Sequence, residues 1–216
     1  MDLVEALRTT GAARDFTDQP VDDATVAAVL DDARFAPSGG NRQPWRVAVV
    51  KDPAIRRHMA DLMTEVWHEY LGEGADPTRT PFAFGLSSGH RRIDAPNPLL
   101  DKIEQVPVVL ALAADLNRIA LMDTNADRPP ITGGGSIYPF GWSVLLAARS
   151  RGLGGVMTTF LSRVEAAAAP QLGLPAGHAL AATIFLGHPA HQNTKLRRNE
   201  VDGFATIDRF DGEPLI

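Results

Sequence analysis

The sequence predicts an α+β fold in which helices cover a central sheet. Three apolar runs, at residues 45–51, 106–114 and 178–186, are typical of buried strands, and residues 156–160 form a shorter strand candidate. Segments with helical periodicity lie between these runs. Strands and helices do not alternate regularly, which favours a helix-covered sheet over a doubly wound one.

Five helices are predicted from periodicity and from signals at their ends. They lie at residues 2–9, from Asp22 or Asp23 to near Pro37, from Pro53 to about Leu71, at 137–151 and at 163–172. An aspartate can cap the second helix, and Pro37 ends it because the residue before a proline avoids the helical region. Proline is favoured at a first helical position, which places the start of the third helix at Pro53.

The long segment at about 72–105 is rich in Gly, Pro, Ser and Arg and has no clear periodicity. Such a stretch within a compact domain is usually a functional lid or a mobile loop. We therefore expect residues 1–216 to form a single domain with a variable lid or insertion at 72–105.

Composition excludes several classes of protein. The net charge of −5 argues against a nucleic-acid-binding protein or an anionic-membrane-binding protein. The absence of cysteine excludes disulfides, thiolate catalysis and Cys-based metal sites. The N-terminal residues lack an apolar signal core, and no apolar run is long enough to span a membrane. The expected location is the cytoplasm.

The sequence also lacks motifs for nucleotide binding or for a metal site. The triplet Gly133-Gly134-Gly135 follows a polar loop and lacks dinucleotide-fingerprint spacing, and there is no Walker A lysine motif. Glu65 and His68 stand three residues apart on a predicted helix but lack the second such pair that a carboxylate-bridged metal site needs, so no metal site is expected. Any chemistry is expected to come from a bound organic cofactor rather than from a dedicated catalytic side chain.

The segment 36–45 is the first candidate for binding a cofactor. Its adjacent glycines allow close backbone approach to a flat ligand. Ser38, Asn41 and Gln43 add short polar groups that suit the hydrogen-bonding edge of an isoalloxazine. The alternative is a plain turn between a helix and a strand.

Basic residues near the two ends of the chain are the second candidate. Arg14 lies in a loop of small residues and could hold a phosphate, or it could simply pair with Asp15 or Asp18 at the surface. Residues 195–198 (KLRR) form a basic cluster in an acidic protein. That cluster indicates either an anion site or a solvated charge run.

A glycine-rich connection at residues 152–159 is the third candidate. It leads into a strand whose exposed N–H groups could face the N5 atom of a flavin. The alternative is a helix C-cap and turn, which Gly152 would favour.

The order of these features resembles that of the nitroreductase family of FMN enzymes. The resemblance rests on TTGAARDF, APSGGNRQPWRVAVV, GGGSIYPFGWSVLLAARSRGLGGVMTT and TKLRRNEV, and it extends from about residue 3 to residue 210. It implies a mostly antiparallel central sheet and a homodimer with FMN at the subunit interface. Residues of both chains would line each flavin, and the C-terminal extension would be exchanged over the partner.

The resemblance also implies roles for individual residues. Arg14 matches the basic side chain that reaches the FMN phosphate, and Lys195 and Arg197 match a late basic pair at the phosphate or the pyrimidine edge. Lys195 is the candidate to stabilise the reduced flavin. The expected flavin-contacting residues are Ser38, Gly39, Asn41, Gln43, Met157, Thr158 and Thr159.

The implied activity is hydride transfer from NAD(P)H through the flavin to nitroaromatic, quinone or related acceptors, in a ping-pong cycle. Gly11 departs from the family pattern, because many relatives carry a basic residue there. Two alternatives remain open. One is another flavin chemistry on the same scaffold, such as dehalogenation or flavin fragmentation. The other is flavin storage or sensing without turnover, with Phe82, Phe84, His90 and Arg91 covering the ring.

Overall fold

A computed structural model of the chain describes residues 1–74 and 93–215. Within these residues the centre of the fold is a four-stranded antiparallel sheet of order β1-β2-β4-β3. The strands are β1 (Trp45–Val49), β2 (Val108–Asp115), β3 (Gly154–Thr158) and β4 (His178–Gly187). The predicted α+β class and the mostly antiparallel sheet are confirmed.

Helices cover both faces of the sheet. They are α1 (Leu3–Thr9), α2 (Asp23–Ala33), α3 (Pro53–Gly74), α4 (Pro98–Asp101), α5 (Tyr138–Ser150), α6 (Phe160–Arg163) and α7 (Glu165–Leu172). Asp22 caps α2 by accepting a hydrogen bond from the Thr25 amide at 2.7 Å, as the sequence predicts. Among the described residues, no helix is both long and apolar enough to cross a bilayer.

The two central strands divide the core into two layers. Alternate residues of β2 point to opposite faces, so Leu110 and Leu112 pack with α2 and α5, whereas Val109 and Ala111 pack with α3, α6 and α7. The strand is buried on both faces, which explains why its sequence is a continuous apolar run rather than an alternating one.

Two strand predictions differ from the structure. The run at 45–51 was expected to be a buried strand, but β1 lies at the edge of the sheet and Val49 is 39% exposed. β3 begins at Gly154, two residues before the predicted start, because Gly154 and Gly155 pair with β4 at positions where a side chain would collide with neighbouring atoms. Phe160, the predicted end of that strand, begins α6 instead.

Residues 72–74 and 93–105 of the predicted lid lie within the described part of the chain. Residues 72–74 continue α3, and residues 98–105 form α4 and a 3-10 turn in which Leu99, Leu100 and Ile103 are buried. Most of the predicted lid, with Phe82, Phe84, His90 and Arg91, lies outside the described residues.

Candidate functional site

A cavity of about 480 Å³ lies beside β3 and falls within the usual size range of small-molecule sites. Arg14 stands at its rim, and β3 contributes its floor. The walls come from the end of α3 and from residues 96–100. The complete lining is Arg14, Trp67, Tyr70, Pro96, Asn97, Pro98, Leu99, Leu100, Val156, Met157, Thr158, Thr159, Phe160 and Phe185.

Three half-buried aromatic rings form one wall of this cavity. The ring centroid of Trp67 lies 6.1 Å from that of Tyr70 and 6.1 Å from that of Phe160. Tyr70 and Phe160 are 5.8 Å apart. Such a wall offers a planar ligand a large apolar surface at low entropic cost. Sequence reasoning missed these residues, because an aromatic pair at i and i+3 on a helix usually signals core packing.

The loop that carries Arg14 runs along the outer edge of β3. The Ala13 amide donates to the Gly155 carbonyl at 3.0 Å, and the Thr17 amide donates to the His188 carbonyl at 2.8 Å. These backbone bonds place Arg14, which is exposed, at the mouth of the cavity. Within residues 1–74 and 93–215, Arg14 forms no ion pair with Asp15, Asp18 or any other carboxylate.

The C-terminal basic segment packs against the same loop. A Cβ at Gly11 would stand 2.5 Å from the carbonyl oxygen of Asn193 and 3.0 Å from Leu196 Cδ2. Gly11 therefore has no room for the basic side chain found in relatives, because the segment with Lys195 and Arg197 occupies that space. Both of these cations are exposed, and neither forms an ion pair within the described part of the chain.

Residues 38–43 form a tight turn that precedes β1. Gly40, Asn41 and Gln43 have positive φ angles of 59°, 51° and 48°, which for a glutamine is an unfavourable conformation. The Ser38 hydroxyl holds the turn closed by accepting from the Gln43 amide at 3.0 Å. Strained turns fixed in this way are common at ligand-binding sites, so the geometry favours the binding interpretation over a plain connection.

The structure separates the predicted site residues into two groups. Arg14, the β3 residues and the basic segment lie at the β3 edge of the sheet, whereas residues 38–43 precede β1 at the opposite edge. Three strand spacings separate these edges, about 14 Å. The cavity beside β3 has Arg14 and β3 residues in its lining but no residue of the 38–43 turn, so the two groups do not share this cavity within one chain.

A second and larger cavity, about 890 Å³ in volume, lies near the 38–43 turn. Its lining is largely apolar and includes Ile131, Tyr138 and Trp142. Ser136, in the 3-10 turn that lines it, accepts a hydrogen bond through its hydroxyl from the Gly39 amide at 3.1 Å. This bond joins the cavity wall to the turn.

One carboxylate organises the loop that forms this wall. Asp123 accepts hydrogen bonds from the Thr132 hydroxyl at 2.5 Å and the Ile131 amide at 2.9 Å, and it pairs with Arg128 at 2.6 Å. The bond from Thr132 is the largest cause that holds the pKa of Asp123 well below its ordinary value. Asp123 was not singled out by sequence, since nothing local distinguishes it from other surface aspartates.

Comparison with known proteins identifies the family. The sequence model of the nitroreductase family matches residues 7–188. The chain belongs to the nitroreductase family. The match ends at His188, so the basic segment 195–198 lies beyond the matched residues.

Individual relatives support a flavin-dependent oxidoreductase in general terms. The chain is 32% identical to a 5,6-dimethylbenzimidazole synthase of Rhodospirillum rubrum over 83% of its own length and 78% of the relative's. It is 27% identical to an NADH dehydrogenase of Thermus thermophilus, with coverage of 83% and 82%. Among solved structures it resembles the NADPH:FMN oxidoreductase of Vibrio harveyi complexed with NAD+ (TM-score 0.67, 20% identity, 95% and 77% coverage). That last similarity concerns the fold.

Proposed function

We propose that residues 1–216 form one FMN-binding domain that oxidises NAD(P)H and reduces an aromatic or quinone acceptor. The observation that carries this proposal is that Arg14 lines a cavity beside β3 and that the 195–197 segment packs, through Leu196, against the loop that carries Arg14. The donor set fits FMN. Cations without carboxylate partners suit a phosphate, and an aromatic and aliphatic cavity suits a planar ring system.

Each group of residues has a defined task in this proposal. Arg14, Lys195 and Arg197 bind the phosphate, and Lys195 also stabilises negative charge at the pyrimidine edge. The backbone of Met157, Thr158 and Thr159 faces the reactive edge of the ring. Bound FMN would accept hydride at N5 and deliver it to an acceptor, so no side chain need act as a dedicated acid or base.

The separation of the two groups supports a homodimeric site. In such a dimer the turn of one chain would reach the flavin held at the β3 edge of the partner, through Ser38, Gly39, Asn41 and Gln43. A two-fold axis requires that the partner's turn reaches the flavin of the first chain in the same way. The C-terminal segment supports this arrangement, because its large apolar side chains are uncovered in the single chain: Phe204 is 69% exposed and Phe210 is fully exposed. We propose that this segment is exchanged over the partner.

The apolar cavity near the turn supports an aromatic acceptor. In a homodimer of this kind its wall, with Tyr138 and Trp142, would stand beside the partner's flavin, because Ser136 ties that wall to the 38–43 turn. Nitroaromatics, quinones and related flat acceptors match its size and its lining.

The test is direct. Protein purified with FMN should be yellow, retain one FMN per chain and oxidise NADH or NADPH when menadione or a nitrofuran is added. Protein that stays colourless with excess FMN would contradict the cofactor assignment. Protein that binds FMN tightly yet oxidises neither nicotinamide would point to flavin storage or sensing.

A second candidate is flavin fragmentation, favoured by the 32% identity to a 5,6-dimethylbenzimidazole synthase across most of both chains. Its test supplies the protein with reduced FMN and oxygen and looks for 5,6-dimethylbenzimidazole by chromatography and mass spectrometry. Product formation above that of reduced FMN alone would select this activity, whereas rapid menadione reduction without that product would select the first.

A further inference from the structure

Gln192 lies where three segments of the candidate site meet. Its side-chain Nε2 donates to the Gly11 carbonyl at 2.9 Å and to the Asn193 carbonyl at 3.4 Å. The other end of the amide, Oε1, lies against Gly154 at the start of β3. One side chain therefore touches the Arg14 loop, the strand that floors the cavity and the segment that carries Lys195.

Two glycines make room for this contact, Gly154 for the Gln192 side chain and Gly11 for the backbone of Asn193. A Cβ on Gly154 would stand 2.8 Å from Gln192 Oε1, and a Cβ on Gly11 would stand 2.5 Å from the Asn193 carbonyl oxygen. Neither glycine has a positive φ, so the reason for glycine here is the close approach and not the backbone conformation. The Asn193 side chain then accepts from the Lys195 amide at 3.2 Å, which fixes the direction in which the basic segment leaves the contact.

Packing alone does not explain why the side chain at position 192 is an amide. Oε1 is buried and has no hydrogen-bond partner in residues 1–74 and 93–215. An unsatisfied buried carbonyl destabilises a fold, and an apolar side chain of similar volume would avoid that cost. What the amide supplies and an apolar side chain cannot is the hydrogen bond to Gly11.

We infer that Gln192 is a positioning residue, which fixes the Arg14 loop to the Lys195–Arg197 segment so that both supply cations to one phosphate group. The inference rests on the proposed binding of FMN. It assigns Gln192 no contact with the ligand. Its effect is to bring together cations that are about 180 residues apart in sequence and to keep them together against their mutual repulsion.

The experiment compares FMN with riboflavin, which has the same ring but no phosphate, by quenching of flavin fluorescence on the full-length protein. Gln192→Leu should weaken FMN binding on the order of ten-fold while riboflavin binding changes less than about two-fold. Gln171→Leu is the matched control, because Gln171 is exposed on α7, and it should change neither affinity.

Gln192→Glu keeps the size of the side chain and replaces the amide with a carboxyl group that can be protonated. At pH 8 the carboxylate cannot donate to the Gly11 carbonyl, so FMN affinity should fall. At pH 5 the protonated fraction can donate again, so the deficit relative to wild type at the same pH should shrink.

Each outcome is decisive. A ratio of FMN affinity to riboflavin affinity that is the same in both variants as in the wild type, whether the two affinities fall equally or not at all, overturns the role of Gln192. This outcome leaves the proposed function intact. A wild-type protein that binds neither flavin overturns both. If Gln192→Leu does not fold, a Gln192→Glu deficit that is the same at pH 5 and pH 8 overturns the inference by itself.

Discussion

Two different substitutions, each in its own chain, can test whether the flavin site is shared between chains. Arg14→Glu reverses the charge at the β3 edge, and Gly39→Trp adds bulk to the 38–43 turn. Among the described residues a Cβ at Gly39 meets only Ser136 Oγ, at an ordinary 3.5 Å, so the first atom of the added side chain is accommodated within its own chain. It would instead occupy the space into which a partner's flavin must fit.

The expected magnitude follows from the geometry of a two-fold dimer. Each site takes Arg14 from one chain and Gly39 from the other. In a mixed dimer of the two variants, one site contains both defects and the other contains neither. Random pairing of equal amounts makes roughly half of all dimers mixed, so about a quarter of all sites are intact.

The assay uses co-expression of the two chains with different tags. Each variant alone should retain little FMN and little menadione reductase activity, whereas the mixture should recover about a quarter of the wild-type value of both. A chain with both substitutions, mixed with the Arg14→Glu chain, is the control, since no pairing of these chains leaves a site intact. A mixture no more active than its separate components would refute the shared site.

The remaining predictions concern stability. Arg56→Leu should lower the free energy of unfolding, measured with urea, by roughly 3–5 kcal/mol, because the buried guanidinium donates to the carbonyls of Val50, Glu104 and Val106. The control is Arg57→Leu at a half-buried neighbour, whose solvent-accessible ion pair with Glu104 should contribute no more than about 1 kcal/mol. The depressed pKa of Asp123 means that its carboxylate stabilises the fold above the ordinary aspartate pKa of about 3.9 and loses that effect as the pH falls towards its folded-state pKa. The protection of the amides of residues 121–132, measured relative to their intrinsic exchange rates at the same pH, should therefore fall selectively in acid, and an Asp123→Asn variant should show reduced protection already at neutral pH. Exchange unaffected by either change would contradict this role.

Local sequence signals predicted most of the elements because those elements satisfy local rules. Asp22 caps α2 and Pro53 begins α3, as expected. The errors occur where contacts between residues distant in sequence determine the position or the bounds of a strand. β1 has the apolar composition of a buried strand but pairs with one neighbour among the described strands. β3 starts on two glycines that give no periodic signal, and glycine is required there because side chains and backbone distant in sequence, such as Gln192 and Ala13, approach them closely.

The candidate site also depends on contacts between residues that are distant in sequence. Arg14 and Lys195 can each be recognised in the sequence as basic residues in suggestive surroundings. The contact between their two segments, however, depends on the pairing of the Arg14 loop with β3 and on the packing of Gly11 against Asn193. Gly11 illustrates the difference. In the sequence, glycine at this position means one fewer positive charge for a phosphate. In the structure, the absence of a side chain leaves the space in which the segment that carries Lys195 packs. A basic residue at this position would displace that segment, so we expect this substitution to weaken phosphate binding rather than strengthen it.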